Sequence, residues 1–496
     1  LPQNGAAKTQ EKNKISPGHT SVTDQPDFPK SVYIKVKSII LGPKQFHRLY
    51  SEQKNKDSPM LIKPFTTSSP EGAKKLAELQ DRFQPSDSSC RQVVTDIIHD
   101  IRTRGDEALV EYTRKFDAPD FTIDQLKVTG PEMEQAFELV DHELIATLDL
   151  AIKRIQTFHE HEKEESWTIT GDNGIITGRL VNPVDSAGLY VPGGQGGQTP
   201  LVSSVLMNGI PAGIAGVKRR VMVTPANNKG QVNPALLVAA GKIGIDEIYK
   251  VGSAWAIAAL AYGTASIPRV DVIVGPGNQF VAEAKQQVSG RVRIDMVAGP
   301  SEVLIIADQT AIPAYIAADM LAQAEHDPQA LAILVTTSRE IADQVSKELE
   351  AQLPKLSREE IARKSLAEKG VILIADSLDE AIDIANQLAA EHLELMITDA
   401  MDWVKKIRHA GAIFVGNNVP ESTGDYLAGP NHVLPTMGTA RFSSALGVET
   451  FVKKSSLISY PREALLADSE HIQRLANLEG LTGHARSAAI RTDDRE

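Results

Sequence analysis

The sequence has a single cysteine in 496 residues, Cys90. A disulfide framework, a zinc ribbon and an iron–sulfur cluster are therefore excluded, and any metal must be held by His, Asp, Glu or Gln. Aromatic residues are sparse at 5%, whereas there are 35 glycines. That balance favours an α/β enzyme-like interior over an all-β sandwich. No apolar run approaches the ~20 residues of a membrane-spanning helix. A basic start, an apolar core and a small-residue cleavage site are all missing at the N-terminus, so no secretory signal is read and a cytoplasmic location is expected. Positive charge is short as well, the formal net charge being −12. This speaks against nucleic acid as a partner, because phosphate binding needs clustered Lys and Arg.

What is present is a hydrophobic fraction of 42%, enough for real cores. The length suggests two to four domains. Charge is uneven along the chain. Residues 1–59 hold ten basic and five acidic residues, or +5, which leaves the rest at −17. This polar leader is expected to be a flexible extension. From Met60 the pattern is regular: an extended Leu61–Phe65, then Ser68-Ser69-Pro70-Glu71 as a helix start. Residues 70–163 read as helical, with Val93, Val94, Ile97, Ile98 and Ile101 on one stripe. The run His159-Glu160-His161-Glu162 reads as a solvated helix end rather than a metal tract, since residues two apart do not share a helix face.

From about 176 the rhythm becomes strand, glycine turn, helix. Strands are expected near 188–191, 221–224, 247–251, 270–274, 302–307, 331–336, 371–375, 392–397 and 412–415. Such alternation means parallel sheets covered by helices, and the number of units exceeds one six-stranded sheet. Ligands are then expected beyond the carboxyl ends of the strands. After about 440 the pattern loosens into a helical tail.

Several motifs could carry chemistry. Gly193-Gly194, Gly196-Gly197 and Gly275-Pro276-Gly277-Asn278 precede helices, where glycine lets backbone approach a ligand; each also fits a structural turn. Gln323 and His326 are three residues apart near a helix end and can share a metal or simply a packed face. Glu391-His392 pairs a carboxylate with an imidazole where a helix passes into a strand. Gly424-Asp425-Tyr426 and Asn431-His432 fall in a long irregular segment of the kind that is often functional. Glu479 and His484 bracket Gly480-Leu481-Thr482-Gly483. Gln, His, Asp and His make a thiolate-free donor set suited to zinc or manganese with open positions.

Taken in order from about Met60 to Arg491, these motifs resemble the histidinol dehydrogenases. Gly188–Gly194, Ile294–Glu302, Gln323–Pro328, Glu391–Glu394, Gly429–Thr436 and Gly480–His484 carry the likeness most specifically. The resemblance implies a fold of two incomplete Rossmann-like, doubly wound domains, with small helical N- and C-terminal segments. It places the first domain at 84–189 and 302–446, the second, cofactor domain inserted at 190–301, a helical segment at 60–83 and a dimerisation tail at 447–496. It implies oxidation of L-histidinol to L-histidine through a bound aldehyde, with two hydrides passed to two NAD molecules and one zinc per subunit. By resemblance the zinc ligands are Gln323, His326, Asp425 and His484. His392 takes the alcohol proton, and Glu391 activates water to attack the aldehyde. Ser301, His432 and Glu479 match substrate-contact positions; Tyr190 and Asn278 match NAD-contact positions. The family is a homodimer, so Glu479 and His484 are expected to act across the subunit boundary.

Two departures stand out. Trp255 occupies a position where the family often has a Gln that contacts NAD; an indole can stack on the cofactor but cannot reproduce amide hydrogen bonds. The loop 195–200 is a few residues longer than usual. A related zinc and NAD dehydrogenase of another amino alcohol or a sulfonated diol is the alternative activity. A zinc-stabilised binding protein that has lost NAD is the non-catalytic one.

Overall fold

The computed structural model describes residues 61–82, 88–193 and 199–493. The extension 1–59, Gly194, the loop 195–198 and the expected boundary at 84 fall outside them. Fourteen strands follow in chain order: β1 Pro64–Thr66, β2 Trp167–Thr170, β3 Ile176–Pro183, β4 Ser186–Tyr190, β5 Arg219–Val223, β6 Glu247–Tyr249, β7 Val272–Val274, β8 Arg293–Ile294, β9 Glu302–Ala307, β10 Leu331–Thr336, β11 Val371–Ile374, β12 His392–Met396, β13 Ala412–Val415 and β14 Val452–Ser459.

Two parallel sheets result. The six-stranded sheet runs β1-β11-β10-β9-β12-β13 and the five-stranded sheet β6-β5-β4-β7-β8. Apart from the added edge strand β1, both have the order 3-2-1-4-5, a Rossmann-like order lacking its sixth strand, which reverses direction of travel beside its first strand. The cause is legible in β9, β10 and β12, where every residue is buried. Strands covered on both faces by crossover helices must be apolar throughout. Helices 202–214, 253–262 and 313–324 supply that cover, and Pro313 sits at the first helical turn, where its missing N–H costs nothing.

The chain is divided differently from the expectation. The six-stranded sheet is drawn from two segments of the chain, β1 and then β9 to β13, residues 302–415. The helices between residues 88 and 160, however, pack on the five-stranded sheet and its helices. Val94, Ile97, Ile98 and Ile101 share a core with Val221, Ala254–Ala261 and Val281. Leu148, Ile152 and Ile155 share another with Leu189, Val205 and Met222. The apolar stripe of helix 88–104 was readable in sequence, but the face that receives it was not. Residues 60–83 likewise hold an edge strand as well as a helix. In the tail, β14 pairs antiparallel with β3, which pairs with β2, before helices 462–478 and 482–489.

His159 also departs from the reading of a solvated run. It is fully buried, and its Nδ1 lies 2.7 Å from Glu162 Oε2, which also accepts the Val448 amide. No described helix is long and apolar enough to cross a membrane.

At the reversal point of the five-stranded sheet, Gly275 follows β7 with φ +114°, and a side chain there would strike the Tyr190 carbonyl. Its peptide is held from both sides. Gly275 N donates to Asp295 Oδ2 at 2.8 Å, Lys285 Nζ donates to Gly275 O at 2.9 Å, and the buried Lys285 and Asp295 pair with each other. Removing one member of a buried ion pair strands the other's charge. Lys285→Met is therefore expected to lower stability by about 3–5 kcal/mol, read as a shift of the urea midpoint at unchanged slope.

Candidate functional site at the amino edge of the six-stranded sheet

Glu302 opens β9 and lies next to the start of β12. Three of its groups are used. Its N–H donates to Glu391 Oε2 at 2.8 Å, its carbonyl lies 3.0 Å from His392 Nδ1, and its carboxylate is gripped by Arg82 at 2.5 and 2.7 Å. Arg82 also donates to the carbonyls of Leu79 and Leu388, so the N-terminal segment is tied to the same point. The approach to Glu391 is sharp. Helix 378–388 ends in Ala389, a non-glycine residue in the left-handed region at φ 49°. That reversal lets Glu391-His392 enter the sheet within three residues.

A carbonyl can only accept, so the proton of a neutral His392 sits on Nδ1 and its Nε2 carries the free lone pair. That Nε2 is buried and has no protein partner. Burial pushes the His392 imidazole down to about 4 and raises the Glu391 carboxyl well above the carboxylate range. His432 is likewise pushed down to about 4 by burial, and its Nε2 is also without a protein partner. Its loop is fixed by Asn431, which accepts from Val433 N and donates to Met207 O, reaching into the other sheet's cover. Ser301, half-buried, precedes Glu302.

Beside this pair, His326, Glu421 and Asp425 bring ligand atoms within 4.8 Å of one another. Burial raises Asp425 to about 6 and lifts Glu421 well above the usual range. Gln323, fully buried, packs against Glu421: its amide is satisfied when the NH2 points there, 3.2 and 3.3 Å from the two carboxylate oxygens. Behind lies a second carboxyl pair, Asp319 and Glu394, both raised by burial, Asp319 to about 6. The arrangement follows from two periodicities. Asp319 and Gln323 are four apart on helix 313–324, while His392 and Glu394 are two apart on β12, so each pair shares a face.

The donor set fits a divalent cation. Imidazole, carboxylate and amide oxygen suit zinc, and crowded buried carboxylates without a cationic partner favour a bound positive charge. Glu421 was missed in the sequence. Its signal was available, since Glu421 and Asp425 are four apart on helix 421–426. Arg82 had no local signal at all.

The site lies at the amino ends of β9 and β12, not at carboxyl ends as expected. Glu302 and His392 are the first residues of their strands. On the five-stranded sheet Tyr190 ends β4 and Gly275–Asn278 follows β7, both at carboxyl ends flanking the reversal point. Asn278 is exposed and caps helix 279–288 through Phe280 N and Val281 N. Tyr190 is buried, and its hydroxyl accepts from Ser253 N at 3.2 Å.

Residues 80–492 match the family model described as histidinol dehydrogenase. The chain belongs to the histidinol dehydrogenase family. It is similar to the histidinol dehydrogenase of Desulfotalea psychrophila, with 66% identity over 432 residues, covering 87% of this chain and all of that one. The enzyme of Nitratidesulfovibrio vulgaris is 54% identical over 417 residues, covering 84% and 95%. The crystal structure of histidinol dehydrogenase from Elizabethkingia anophelis superimposes with a TM-score of 0.82 at 38% identity, covering 88% of this chain and 98% of that one.

The two departures from the family pattern fare differently. Trp255 is buried and already stacked, 5.8 Å from Tyr112 and 5.4 Å from Phe116 between ring centroids, so its indole is a core group. The longer loop falls largely outside the described residues. Glu479 and His484 do not join the cluster within one chain; both are exposed on the tail. Around them Leu475, Leu478 and Leu481 are exposed, at 64%, 84% and 43%.

The depressed imidazoles make a direct prediction. An unfolded His titrates near 6.5, so between pH 6.5 and 4 the unfolded chain binds protons that His392 and His432 do not. Their contribution to stability therefore declines as pH falls through that window. Ring NMR of the metal-free protein should show the imidazoles of His392 and His432 still neutral at pH 5.5. Loss of those two signals in His392→Gln and His432→Gln would assign them; normal titration of both would refute the reading.

Proposed function

We propose that the chain performs its family's reaction, NAD-dependent oxidation of L-histidinol to L-histidine, with zinc held by Gln323, His326 and Asp425 and completed by His484 of a second copy. The observation that carries this is the His392 tautomer, a bare buried Nε2 beside the His326–Asp425 cluster. Zinc, one per subunit, would supply a positive centre that orients the substrate's amino and imidazole nitrogens. Two NAD molecules, bound one after the other near Asn278 and the Gly275 loop, would each supply the acceptor for one hydride.

The chain's own residues divide the proton work. His392 Nε2 takes the hydroxyl proton as the first hydride leaves, giving the aldehyde. Glu391, raised by burial and therefore the stronger base once ionised, takes a proton from water as it adds to that aldehyde. The hydrated aldehyde then loses the second hydride and a hydroxyl proton, the latter to His392 once that imidazole is neutral again, and the carboxylic acid formed ionises to the carboxylate. Both bases act at one carbon, and Glu302 holds them together from its two peptide groups. Ser301, His432 and Glu479 contact the substrate, the last from the second copy. Burial of crowded groups keeps water away from the aldehyde except where Glu391 admits it.

The tail supports homodimerisation. Glu479 and His484 are exposed here, and the apolar residues around them need cover. The enzyme is read as cytoplasmic. An alternative activity on another amino alcohol or a sulfonated diol has no residue in its favour.

Histidinol turnover should yield two NADH per substrate and be lost on chelation. Glu391→Gln should slow the aldehyde half-reaction by about 10²–10⁴-fold. His484→Asn should lose zinc while remaining folded. Mixing inactive His484→Asn with inactive His392→Ala should restore activity in mixed dimers, each of which can assemble one intact site. No recovery after confirmed subunit exchange would sink the shared site, and full turnover by His484→Asn would sink the ligand assignment.

A further inference from the structure

Glu421 has no role in the reaction as derived, yet it is 2% exposed and stands at the centre of the polar cluster. Gln323 is buried without exposure on the facing helix. A primary amide has one acceptor and two donors, and O and N occupy nearly the same shape. Nothing in the bare side chain decides which atom faces a metal. The surroundings do. With the NH2 toward Glu421 the amide nitrogen lies 3.2 Å from Oε1 and 3.3 Å from Oε2. With Glu421 ionised, as a neighbouring divalent cation would hold it, the reverse orientation sets the amide oxygen against carboxylate oxygens.

We propose that Glu421 is a positioning residue: it receives the Gln323 amide N–H groups and so commits the amide oxygen of Gln323 to the metal. This rests on the zinc reading above and adds a partner for one of its ligands. Outer partners of this kind fix the orientation of metal ligands and contribute to affinity. The geometry explains why position 323 is served by an amide. A carboxylate there would face the Glu421 carboxylate in a buried setting and be repelled. It also separates Glu421 from the ligands it neighbours. Its oxygens are occupied by Gln323, and Oε1 lies 3.8 Å from His392 Nδ1, so the same carboxylate borders both the metal residues and the base.

The test is zinc affinity of the full-length protein by chelator competition, with zinc content per chain and circular dichroism alongside. Glu421→Ala should bind zinc 10–100-fold more weakly than the parent. Glu421→Gln keeps an acceptor oxygen for Gln323 and should bind markedly better than Glu421→Ala. Gln323→Glu should lose zinc, and adding Glu421→Gln to it should recover affinity, because the new amide donates back to the new carboxylate. Glu421→Ala binding within threefold of the parent would overturn the proposal. So would Glu421→Gln as weak as Glu421→Ala, which would make Glu421 a direct ligand. If Glu421→Ala does not fold, the Gln323→Glu pair of variants decides, and absence of recovery refutes the role. A parent protein that binds no zinc would instead remove the metal reading itself.

Discussion

Glu302 is the residue on which the catalytic geometry rests. It stands at the start of the central strand of the six-stranded sheet, and its backbone N–H and C=O hold Glu391 and His392. Peptide groups at a strand start are ideal for this, because the next residues are already locked in the ladder with β10 and β12. The side chain of Glu302 is fixed by Arg82 in a two-pronged pairing, which has both strength and direction. A single residue thus sets the proton position on His392 and the placement of Glu391.

This hub explains the site's unusual edge. Doubly wound sheets normally bind ligands beyond the carboxyl ends of their strands, where the loops diverge. In the five-stranded sheet, Tyr190 and the Gly275 loop lie at that carboxyl edge. The six-stranded sheet instead offers the amino ends of β9 and β12. The loop Asn431–Met437 spans the two, with Asn431 bonded to Met207 and Thr436 accepting from Gly299 N. That loop therefore links the amino edge of one sheet to the helical cover of the other.

The polar rows behind the site carry a cost. Glu391, Glu394 and Glu421 are all buried and displaced upward toward their neutral forms. Buried carboxyls destabilise a fold unless they are hydrogen-bonded or compensated by positive charge. Four apolar clusters around the two sheets provide the surplus that tolerates them.

Local pattern alone determined much of this protein. Every apolar run from Gly188 to Val415 became a parallel strand within two residues of its expected bounds, because strands buried on both faces are written as continuous apolar runs. Gln323, His326, Glu391, His392 and Asp425 were readable from helix spacing, adjacency and family likeness, and they do converge. What sequence could not show were pairings across distance: Arg82 on Glu302, Glu421 on Gln323, and helices 88–160 lying on the second sheet. The stripe on a helix says that a face is buried, but not against what. Likewise Trp255 read as a surface for the cofactor until Tyr112 and Phe116, which are distant in sequence, were found stacked on it. Which residues can do chemistry is a property of composition and spacing. Which edge of which sheet they meet at, with which protonated atom turned inward, depends on contacts between segments up to 300 residues apart, and only the tertiary fold decides those.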